Sequence, residues 1–286
     1  MKKPLVGALF AAVALVGAGA VPAASATAQD AAPAKQSKAK AVDFAGTVAL
    51  SNCSGSLIRM PDSQPGDPAL VMSNGHCLES GFPGPGEVVV DQPSSRTFTL
   101  LNADASDAAT LKATKVAYGT MTDTDVSVYE LDSTYQEIED ESGIKALELA
   151  DQHPEQGKAI TVVSGYWKKT YSCSVDGFVH ELREGDWTWK DSVRYTPECQ
   201  TIGGTSGSPV VDDASGKVVA VNNTGNEDGE ECTDNNPCEV DENGNVTVHK
   251  GTNYAQETYN IPACFGEGNK LDLGAEGCTL PKPTRR

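Results

Sequence analysis

The sequence has 286 residues, a formal net charge of −18 at pH 7, and charged side chains at 22% of its positions. A surface this acidic repels phosphate backbones, which argues against nucleic acid as a partner. The length allows one large domain or two small ones.

The N-terminal residues have the features of a secretory signal peptide. Two lysines precede an apolar run over residues 5–21, and the small residues that follow allow cleavage after Ala26 or Ala28. A membrane anchor is the alternative, although the run is short and rich in alanine and glycine. We expect residues 1–26 to be removed and residues 27–41 to form a leader or short pro-segment. The mature protein is then secreted, extracellular and free of the membrane.

The eight cysteines all lie between Cys53 and Cys278. An even number of cysteines in an exported chain predicts disulfides and an oxidising compartment. Metal binding is the competing interpretation. The cysteines do not form Cys-x-x-Cys pairs, and Cys232 and Cys238 have no histidine nearby. We therefore expect neither a metal site nor a cofactor.

From Val42 onwards, short runs of β-branched and aliphatic residues alternate with Gly, Pro, Asn and Asp. This spacing predicts an all-β fold, and its extent favours two packed barrels. Residues 136–150 are expected to connect the two halves, because Ser142-Gly143 interrupts a potential helical turn there. The runs are Thr47–Leu50, Ser56–Ile58, Leu70–Met72, Glu87–Val90, Thr97–Leu101, Val126–Leu131, Ile160–Val163 and Lys217–Val221.

Glycines surround a serine in the stretch Thr201–Pro209, whose sequence is Thr-Ile-Gly-Gly-Thr-Ser-Gly-Ser-Pro. Glycine tolerates positive φ and close backbone approach. A tight turn here can present the Ser206 hydroxyl while neighbouring N–H groups converge on one point, as an oxyanion hole requires. A flexible Gly/Ser loop is the alternative for this stretch taken alone.

His76 and Asp125 are the other two candidate catalytic residues, although each alone is also compatible with a structural role. His76 follows the apolar run Leu70–Met72, and a neutral imidazole can take a serine proton and return it to a leaving amine. Asp125 leads into a strand, where a partly buried carboxylate can orient an imidazole. Asp123 is the alternative carboxylate. We prefer Asp125 because the apolar run starts immediately after it.

These motifs resemble those of the chymotrypsin-like (trypsin superfamily) serine proteases. The order His76, Asp125, Ser206 is the order found in that family. The resemblance spans roughly residues 42–260 and implies two packed six-stranded antiparallel β-barrels. The similar segments are Cys-Ser-Gly-Ser-Leu-Ile from Cys53, Asn-Gly-His-Cys from Asn74, Asp-Val-Ser-Val from Asp125 and Gly-Thr-Ser-Gly-Ser-Pro from Gly204.

The resemblance implies a serine endopeptidase that acts as a monomer on protein or peptide substrates. Ser206 would attack the carbonyl, His76 would act as base and then as acid, and Asp125 would orient His76. The amides of Gly204 and Ser206 would form the oxyanion hole. The expected substrate pocket comprises Gln200, Thr201, Asn223, Thr224 and Gly225.

The chain departs from the family pattern at three positions. Thr205 replaces the aspartate that pairs with a freed N-terminus in animal trypsins, so activation through that buried ion pair is not expected. Gln200 stands where trypsin has its pocket-floor aspartate, which argues against Arg/Lys specificity. Asn222 lies near the place of a substrate-binding histidine in glutamyl endopeptidases, which argues against Glu specificity.

The resemblance supports one disulfide directly, between Cys53 and Cys77. Proximity along the chain completes a sequential set, but a bridge between Cys199 and Cys232 competes with two of its pairs. The pairs added by proximity are Cys173–Cys199, Cys232–Cys238 and Cys264–Cys278.

The expected organisation is a protease domain over residues 42–264 followed by a C-terminal tail over residues 265–286. Within the domain, the barrels are expected at about 42–135 and 155–264. A catalytically weak or inactive protease-like binding domain is the main alternative function. A small-ester hydrolase on another fold is a third, but its Gly-x-Ser-x-Gly motif needs a glycine where Ser208 stands.

Overall fold

The computed structural model describes residues 41–284. The predicted signal peptide, residues 1–26, lies outside the described residues, as does all but the last residue of the predicted leader, 27–41. Within the described part of the chain, no helix has the length and apolar character needed to cross a membrane.

The first half of the described chain forms a closed ring of six antiparallel strands. This half contains eight strands, of which six form the ring: β1 (Thr47–Ala49), β2 (Ser54–Arg59), β3 (Pro68–Ser73), β4 (Val88–Pro93), β5 (Thr97–Leu101), β6 (Asp107–Thr120), β7 (Val126–Thr134) and β8 (Leu147–Glu148). The hydrogen-bonded order is β1-β5-β6-β7-β3-β2, and β1 also pairs with β2 and closes the ring. Outside the ring, β4 pairs with β6, and β8 lies parallel to β2.

The second half repeats this design. Its strands are β9 (Ala159–Ser164), β10 (Lys169–Glu184), β11 (Trp187–Tyr195), β12 (Pro209–Asp212), β13 (Val218–Gly225), β14 (Cys238–Val240), β15 (Val246–Thr247) and β16 (Asn253–Glu257). The order is β11-β16-β13-β12-β9-β10, and the β10–β11 pairing closes the ring. Closure gives each strand of the ring a neighbour on both sides over part of its length, and β14 and β15 extend the sheet from β10. The predicted fold of two six-stranded β-barrels is confirmed.

The connection between the barrels contains an α-helix, α1 (Tyr135–Ser142). Thr134 and Glu137 form a capping box, in which the Glu137 amide donates to Thr134 Oγ1 at 3.2 Å and the Thr134 amide donates to Glu137 Oε2 at 2.8 Å. Gly143, with φ 72°, ends this helix. The expected interruption at Ser142-Gly143 is therefore the end of a helix that the capping box begins.

Apolar side chains form a core inside each barrel and a third cluster between the barrels. The third cluster joins residues of both barrels, among them Met72 and Val211. Short 3-10 turns occupy Gly75–Cys77, Pro262–Cys264 and Glu267–Asn269.

The C-terminal segment packs against the cluster between the barrels. Phe265 and Leu280 belong to that cluster, and the Tyr118 hydroxyl donates to the Pro281 carbonyl at 3.0 Å. The Asn269 side chain donates to the Pro68 carbonyl at 2.8 Å. Residues of the expected tail therefore join the cluster between the barrels and form hydrogen bonds with the first barrel.

Candidate active site

Strands β3 and β7 bring His76 next to Asp125. They are antiparallel neighbours, with Ser73 opposite Ser127. His76 lies in the 3-10 turn after β3, and Asp125 directly precedes β7. His76 Nδ1 lies 2.7 Å from Asp125 Oδ2, and the His76 amide donates to Asp125 Oδ1 at 3.0 Å. Asp125 therefore holds both the ring and the backbone of His76.

The turn that carries His76 is anchored by the surroundings of Asp125. Asn74 Nδ2 donates to the Asp125 carbonyl at 2.8 Å, and Ser127 Oγ donates to the Asn74 carbonyl at 2.7 Å. A Cβ atom on Gly75 would lie 2.0 Å from the Thr120 carbonyl oxygen, so only glycine fits there.

Burial and charge act in opposite directions on His76. The Asp125 side chain is fully buried, whereas that of His76 is 20% exposed. Burial lowers the pKa of His76, but the charge and hydrogen bond of Asp125, together with the charge of Glu184, outweigh it and raise that pKa above its ordinary value. The imidazolium form of His76 is thus favoured by its neighbours.

Asp123 faces away from this pair. Its Oδ1 lies 3.0 Å from Lys190 Nζ, and its side chain is 45% exposed. Its backbone bridges to Trp189 in the second barrel. The structure therefore places Asp125, and not Asp123, beside His76.

The loop Thr201–Pro209 leads from β11 into β12 and is tied to the first barrel through Ser54. The Ser54 amide donates to the Ser206 carbonyl at 2.8 Å, and Ser54 Oγ donates to the Gly204 carbonyl at 3.1 Å. Gly207 has φ 82°, and a Cβ atom there would lie 2.1 Å from the Ser54 carbonyl oxygen. The glycine pattern of the loop therefore permits close contact between the two barrels.

Ser206 and His76 line the same cavity, whose volume is about 440 Å³. The Ser206 hydroxyl donates to the Asn223 carbonyl at 3.3 Å. Within residues 41–284, no hydrogen bond joins Ser206 Oγ to His76. Catalytic hydrogen bonds are often long in unliganded enzymes and tighten only when substrate binds.

The backbone amides of Gly204 and Ser206 donate no hydrogen bond to any group within residues 41–284. Gly204 has φ 87°, a conformation that glycine adopts readily. Two free N–H groups in the loop that carries Ser206 can donate hydrogen bonds to a substrate oxygen that gains negative charge.

The side chain of Thr205 is buried in a neutral hydrogen-bond network. Its hydroxyl donates to the Ile202 carbonyl at 2.5 Å and accepts from Asn222 Nδ2 at 3.1 Å. Asn222 Oδ1 in turn accepts from the Tyr195 hydroxyl at 3.1 Å. Sequence reasoning missed the roles of Asn222 and Tyr195, since neither belongs to a local motif.

All five residues of the expected substrate pocket line the cavity: Gln200, Thr201, Asn223, Thr224 and Gly225. Gln200 is exposed, and its Nε2 donates to the carbonyls of Pro197 and Gly251 at 2.8 and 3.3 Å. Other lining residues that sequence reasoning missed are Phe82, Glu184, Trp187 and Asn253.

Four disulfides join the eight cysteines in sequential order. The pairs are Cys53–Cys77, Cys173–Cys199, Cys232–Cys238 and Cys264–Cys278. Among residues 41–284, Cys53, His76 and Cys77 are the group with metal-ligand spacing. Because the two sulfurs of this group are bonded to each other, they form a disulfide and not a thiolate pair.

Comparison with solved structures gives matches of low sequence identity. The protease domain of MamO from Magnetospirillum magneticum is 14% identical over 78% of this chain and 97% of its own, with a TM-score of 0.49. The active form of the Rv3671c protease from M. tuberculosis is 15% identical over 84% of both chains, with a TM-score of 0.47. Nocardiopsis protease is 11% identical over 76% of this chain and 93% of its own, with a TM-score of 0.42.

Comparison with curated proteins gives no significant match. Residues 53–221, however, match the family described as the trypsin-like peptidase domain. The matched segment covers more than half of the chain and contains His76, Asp125 and Ser206. This protein therefore belongs to the trypsin-like peptidase family.

Proposed function

We propose that this protein is a secreted serine endopeptidase that hydrolyses peptide bonds through an acyl-enzyme on Ser206. The observation that carries the proposal is the 2.7 Å contact between His76 Nδ1 and buried Asp125 Oδ2, in a cavity that Ser206 also lines. Membership of a peptidase family supports the same class of substrate, proteins or peptides.

Asp125 fixes the His76 tautomer that the reaction needs. With its proton on Nδ1, the ring presents the Nε2 lone pair to the cavity. Rotation about the Ser206 side chain breaks the bond to the Asn223 carbonyl and turns Oγ towards this nitrogen. As Oγ attacks the substrate carbonyl, its proton passes to Nε2, and Asp125 stabilises the imidazolium.

The remaining steps use the same groups. The amides of Gly204 and Ser206 donate to the oxyanion while it carries negative charge. When the C–N bond breaks, the proton moves from His76 to the leaving amine. Water then replaces the amine, gives a proton to His76, and releases Ser206 and the carboxylic acid product.

The edge of β13 supplies the binding groove. Ala220 and Val221 of this strand pair with both β12 and β16, whereas Thr224 and Gly225 pair only with β16. An extended peptide can add to the free side of residues 223–225, next to Ser206.

The four disulfides support export to an oxidising compartment. In this proposal the signal peptide is residues 1–26, and the protease domain begins near Val42. The mature enzyme acts as an extracellular monomer.

Labelling with a fluorophosphonate tests the proposal, because this reagent bonds covalently to an activated serine. We expect one label per chain on Ser206, blocked by prior boiling and abolished in Ser206→Ala. Absence of labelling on folded parent protein contradicts the proposal, whereas labelling at another serine contradicts the assignment of Ser206.

A catalytically weak or inactive binding domain is the second candidate function. The observation that favours it is the hydrogen bond from Ser206 to the Asn223 carbonyl, which directs the hydroxyl away from His76. Such a domain binds peptides in the groove but neither takes up the label nor releases cleaved products.

A further inference from the structure

Two subsites lie on opposite sides of the free edge of β13. Gly225 is paired with Asn253, and a Cβ atom on Gly225 would point at the side-chain amide of Asn253. Thr201 Oγ1 also donates to Asn253 Oδ1, at 2.9 Å, so this is the side of the pocket that contains Gln200 and Thr201. Successive side chains of a strand point to opposite faces. Thr224 therefore faces the other side.

Glu184 lies on the Thr224 side, at the tip of the hairpin formed by β10 and β11. Glu184 is paired with Trp187 across this hairpin, so their side chains share a face. The Asn235 amide donates to Glu184 Oε1 at 2.8 Å. Glu184 Oε2 is shielded from solvent and accepts no hydrogen bond from residues 41–284.

Glu184 and His76 also act on each other electrostatically. Burial and the charge of Asp125 raise the pKa of Glu184, and they outweigh the Thr224 hydroxyl, the Asn235 amide and the charge of His76, which lower it. Glu184 in turn raises the pKa of His76. The hydrogen bonds and charges around Glu184 therefore do not fully offset the cost of burying its negative charge.

An aromatic wall connects Glu184 to the reaction centre. The His76 and Phe82 rings are in edge contact with centroids 5.8 Å apart, and the Phe82 and Trp187 rings are 6.0 Å apart. Trp187 Nε1 donates to the Pro83 carbonyl at 2.9 Å, which fixes the indole against the first barrel. A cation that approaches Glu184 along this wall can lie over the face of an aromatic ring.

The cavity contains acidic and unpaired polar groups but, within the described part of the chain, no lysine or arginine side chain to pair with them. Glu227 and Asp234 line it with Glu184, and none of the described lining residues is lysine or arginine. The side chain of Asn223 is also in the cavity, and the residue is only 4% exposed. Neither polar atom of that side chain makes a hydrogen bond within residues 41–284. Unpaired buried polar groups are costly unless a ligand completes them.

We propose that Glu184, with Trp187 and Phe82, binds the lysine or arginine side chain of the second residue before the scissile bond. This inference rests on the peptidase function proposed above. Suppose that a substrate strand pairs with residues 223–225 and that the residue directly before the scissile bond points its side chain towards Gln200. The second residue before the scissile bond must then point its side chain to the opposite side, towards His76 and Glu184. Arginine suits the subsite best, because its planar guanidinium can stack on an aromatic ring while one of its N–H groups donates to a carboxylate.

The test uses two fluorogenic peptides that differ only at this second residue, which is arginine in one and citrulline in the other. Citrulline has nearly the same shape as arginine but no charge. A hydrogen bond to a charged group corresponds to about a tenfold change in kcat/KM, so we expect the parent to prefer arginine by about tenfold or more. In Glu184→Gln the ratio of the two kcat/KM values should fall to about one.

Asp186→Asn is the matched control, because it removes the same charge from the same hairpin at a residue that does not line the cavity. Asp186→Asn should have the same ratio of kcat/KM values for the arginine and citrulline peptides as the parent. Equal rates for the two peptides in the parent, or an unchanged ratio in Glu184→Gln, overturn the proposal. A third peptide, with glutamate at the second residue, tests the preference for a cationic side chain without any variant. It should be the poorest substrate of the three for the parent.

Binding to Ser206→Ala protein separates this inference from the peptidase function. If this variant binds the arginine peptide more tightly but the parent hydrolyses neither peptide, the subsite stands and the peptidase function fails. If the parent hydrolyses both peptides equally well, the peptidase function stands and the subsite fails. If binding does not discriminate between the peptides, the subsite is refuted whatever the activity.

Discussion

Asn222 Nδ2 donates a hydrogen bond of 3.1 Å to the hydroxyl of Thr205, the residue directly before Ser206. Both side chains are 2% exposed, so water cannot replace this bond. A neutral pair therefore orients the loop at the position where the family resemblance expects a carboxylate and a freed N-terminus. The loop needs no charge from elsewhere in the chain.

Replacing Thr205 by valine should lower both stability and turnover. The change leaves Asn222 Nδ2 without its acceptor, which costs about 1–3 kcal/mol in the free energy of unfolding. Because the oxyanion amides act in the transition state, kcat should fall while KM changes little. Denaturant unfolding and steady-state kinetics measure the two effects.

Thr205→Ser keeps the hydroxyl and is the matched control for this prediction. It should recover most of the parent kcat. A valine variant with parental kcat would show that the hydroxyl does not position the loop.

Substitutions of the three candidate catalytic residues should have unequal and non-additive effects. Ser206→Ala and His76→Ala should each lower kcat by roughly 10⁶-fold, and the double variant should be scarcely worse, because base and nucleophile act as a unit. Asp125→Asn should cost on the order of 10⁴-fold, because the amide favours the wrong imidazole tautomer.

Asp123→Asn is the control, since Asp123 is exposed and pairs with Lys190. We expect its kcat to be close to that of the parent. Loss of activity in Asp123→Asn, with activity retained in Asp125→Asn, would reverse the assignment of the carboxylate.

Two disulfides should differ in their effect on activity. Removing the Cys53–Cys77 bond, which closes 24 residues, and removing the Cys264–Cys278 bond, which closes 14 residues, should each cost about 3 kcal/mol. Only the first bond adjoins His76, and none of the described cavity-lining residues lies between 264 and 278, so only the Cys53→Ser/Cys77→Ser variant should lose kcat/KM at temperatures where both variants are folded. Equal losses of activity in the two variants would contradict this role.

The pH dependence of activity should follow the raised pKa of His76. The general base must be neutral, so kcat/KM should rise with pH through a midpoint above the ordinary histidine value of 6.5. Glu184→Gln removes one of the charges that raise this pKa and should move the midpoint to lower pH. A midpoint at or below 6.5 in the parent would contradict the electrostatics of the site.

A second buried carboxylate should control stability. Burial raises the pKa of Glu257 to about 7 from 4.5, although His153 Nδ1, 2.9 Å from Glu257 Oε1, acts in the opposite direction. A carboxyl group whose pKa is higher in the folded state than in the unfolded state stabilises the fold fully when the pH is below its unfolded-state pKa. This contribution is lost as the pH rises through its folded-state pKa. The melting temperature should therefore fall between about pH 4.5 and 7.

Glu257→Gln has no proton to lose and tests this effect. Its melting temperature should vary less with pH than that of the parent over the same interval. Parallel curves for the two proteins would show that another group is responsible.

Local sequence was sufficient to propose His76, Asp125 and Ser206 as the catalytic residues, because the residues beside them form recognisable motifs. Gly75 and Gly207 fit only as glycine, and such positions leave recognisable motifs. Alternating short apolar runs were similarly sufficient for the β-barrels. Both kinds of signal extend over fewer than about ten residues.

Residues that act through distant contacts could not be found in this way. Glu184 reaches the cavity because a long hairpin places it there, and nothing beside it in the sequence marks that position. The C-terminal segment gives a similar case, since Asn269 Oδ1 accepts from Ser63 Oγ, 206 positions earlier in the chain. Such contacts depend on how the barrels and the C-terminal segment pack.

The two hydrogen bonds from Ser54 have a consequence for the timing of reactivity. Ser54 belongs to the first barrel, yet it holds the carbonyls of Gly204 and Ser206 in the second. His76 and Asp125 come entirely from the first barrel. A chain with only one barrel folded therefore lacks a positioned nucleophile loop, and without the first barrel it also lacks the His76–Asp125 pair. In the enzyme proposed above, a half-folded molecule therefore cannot cut its own unfolded half, because both barrels must fold before the site is complete.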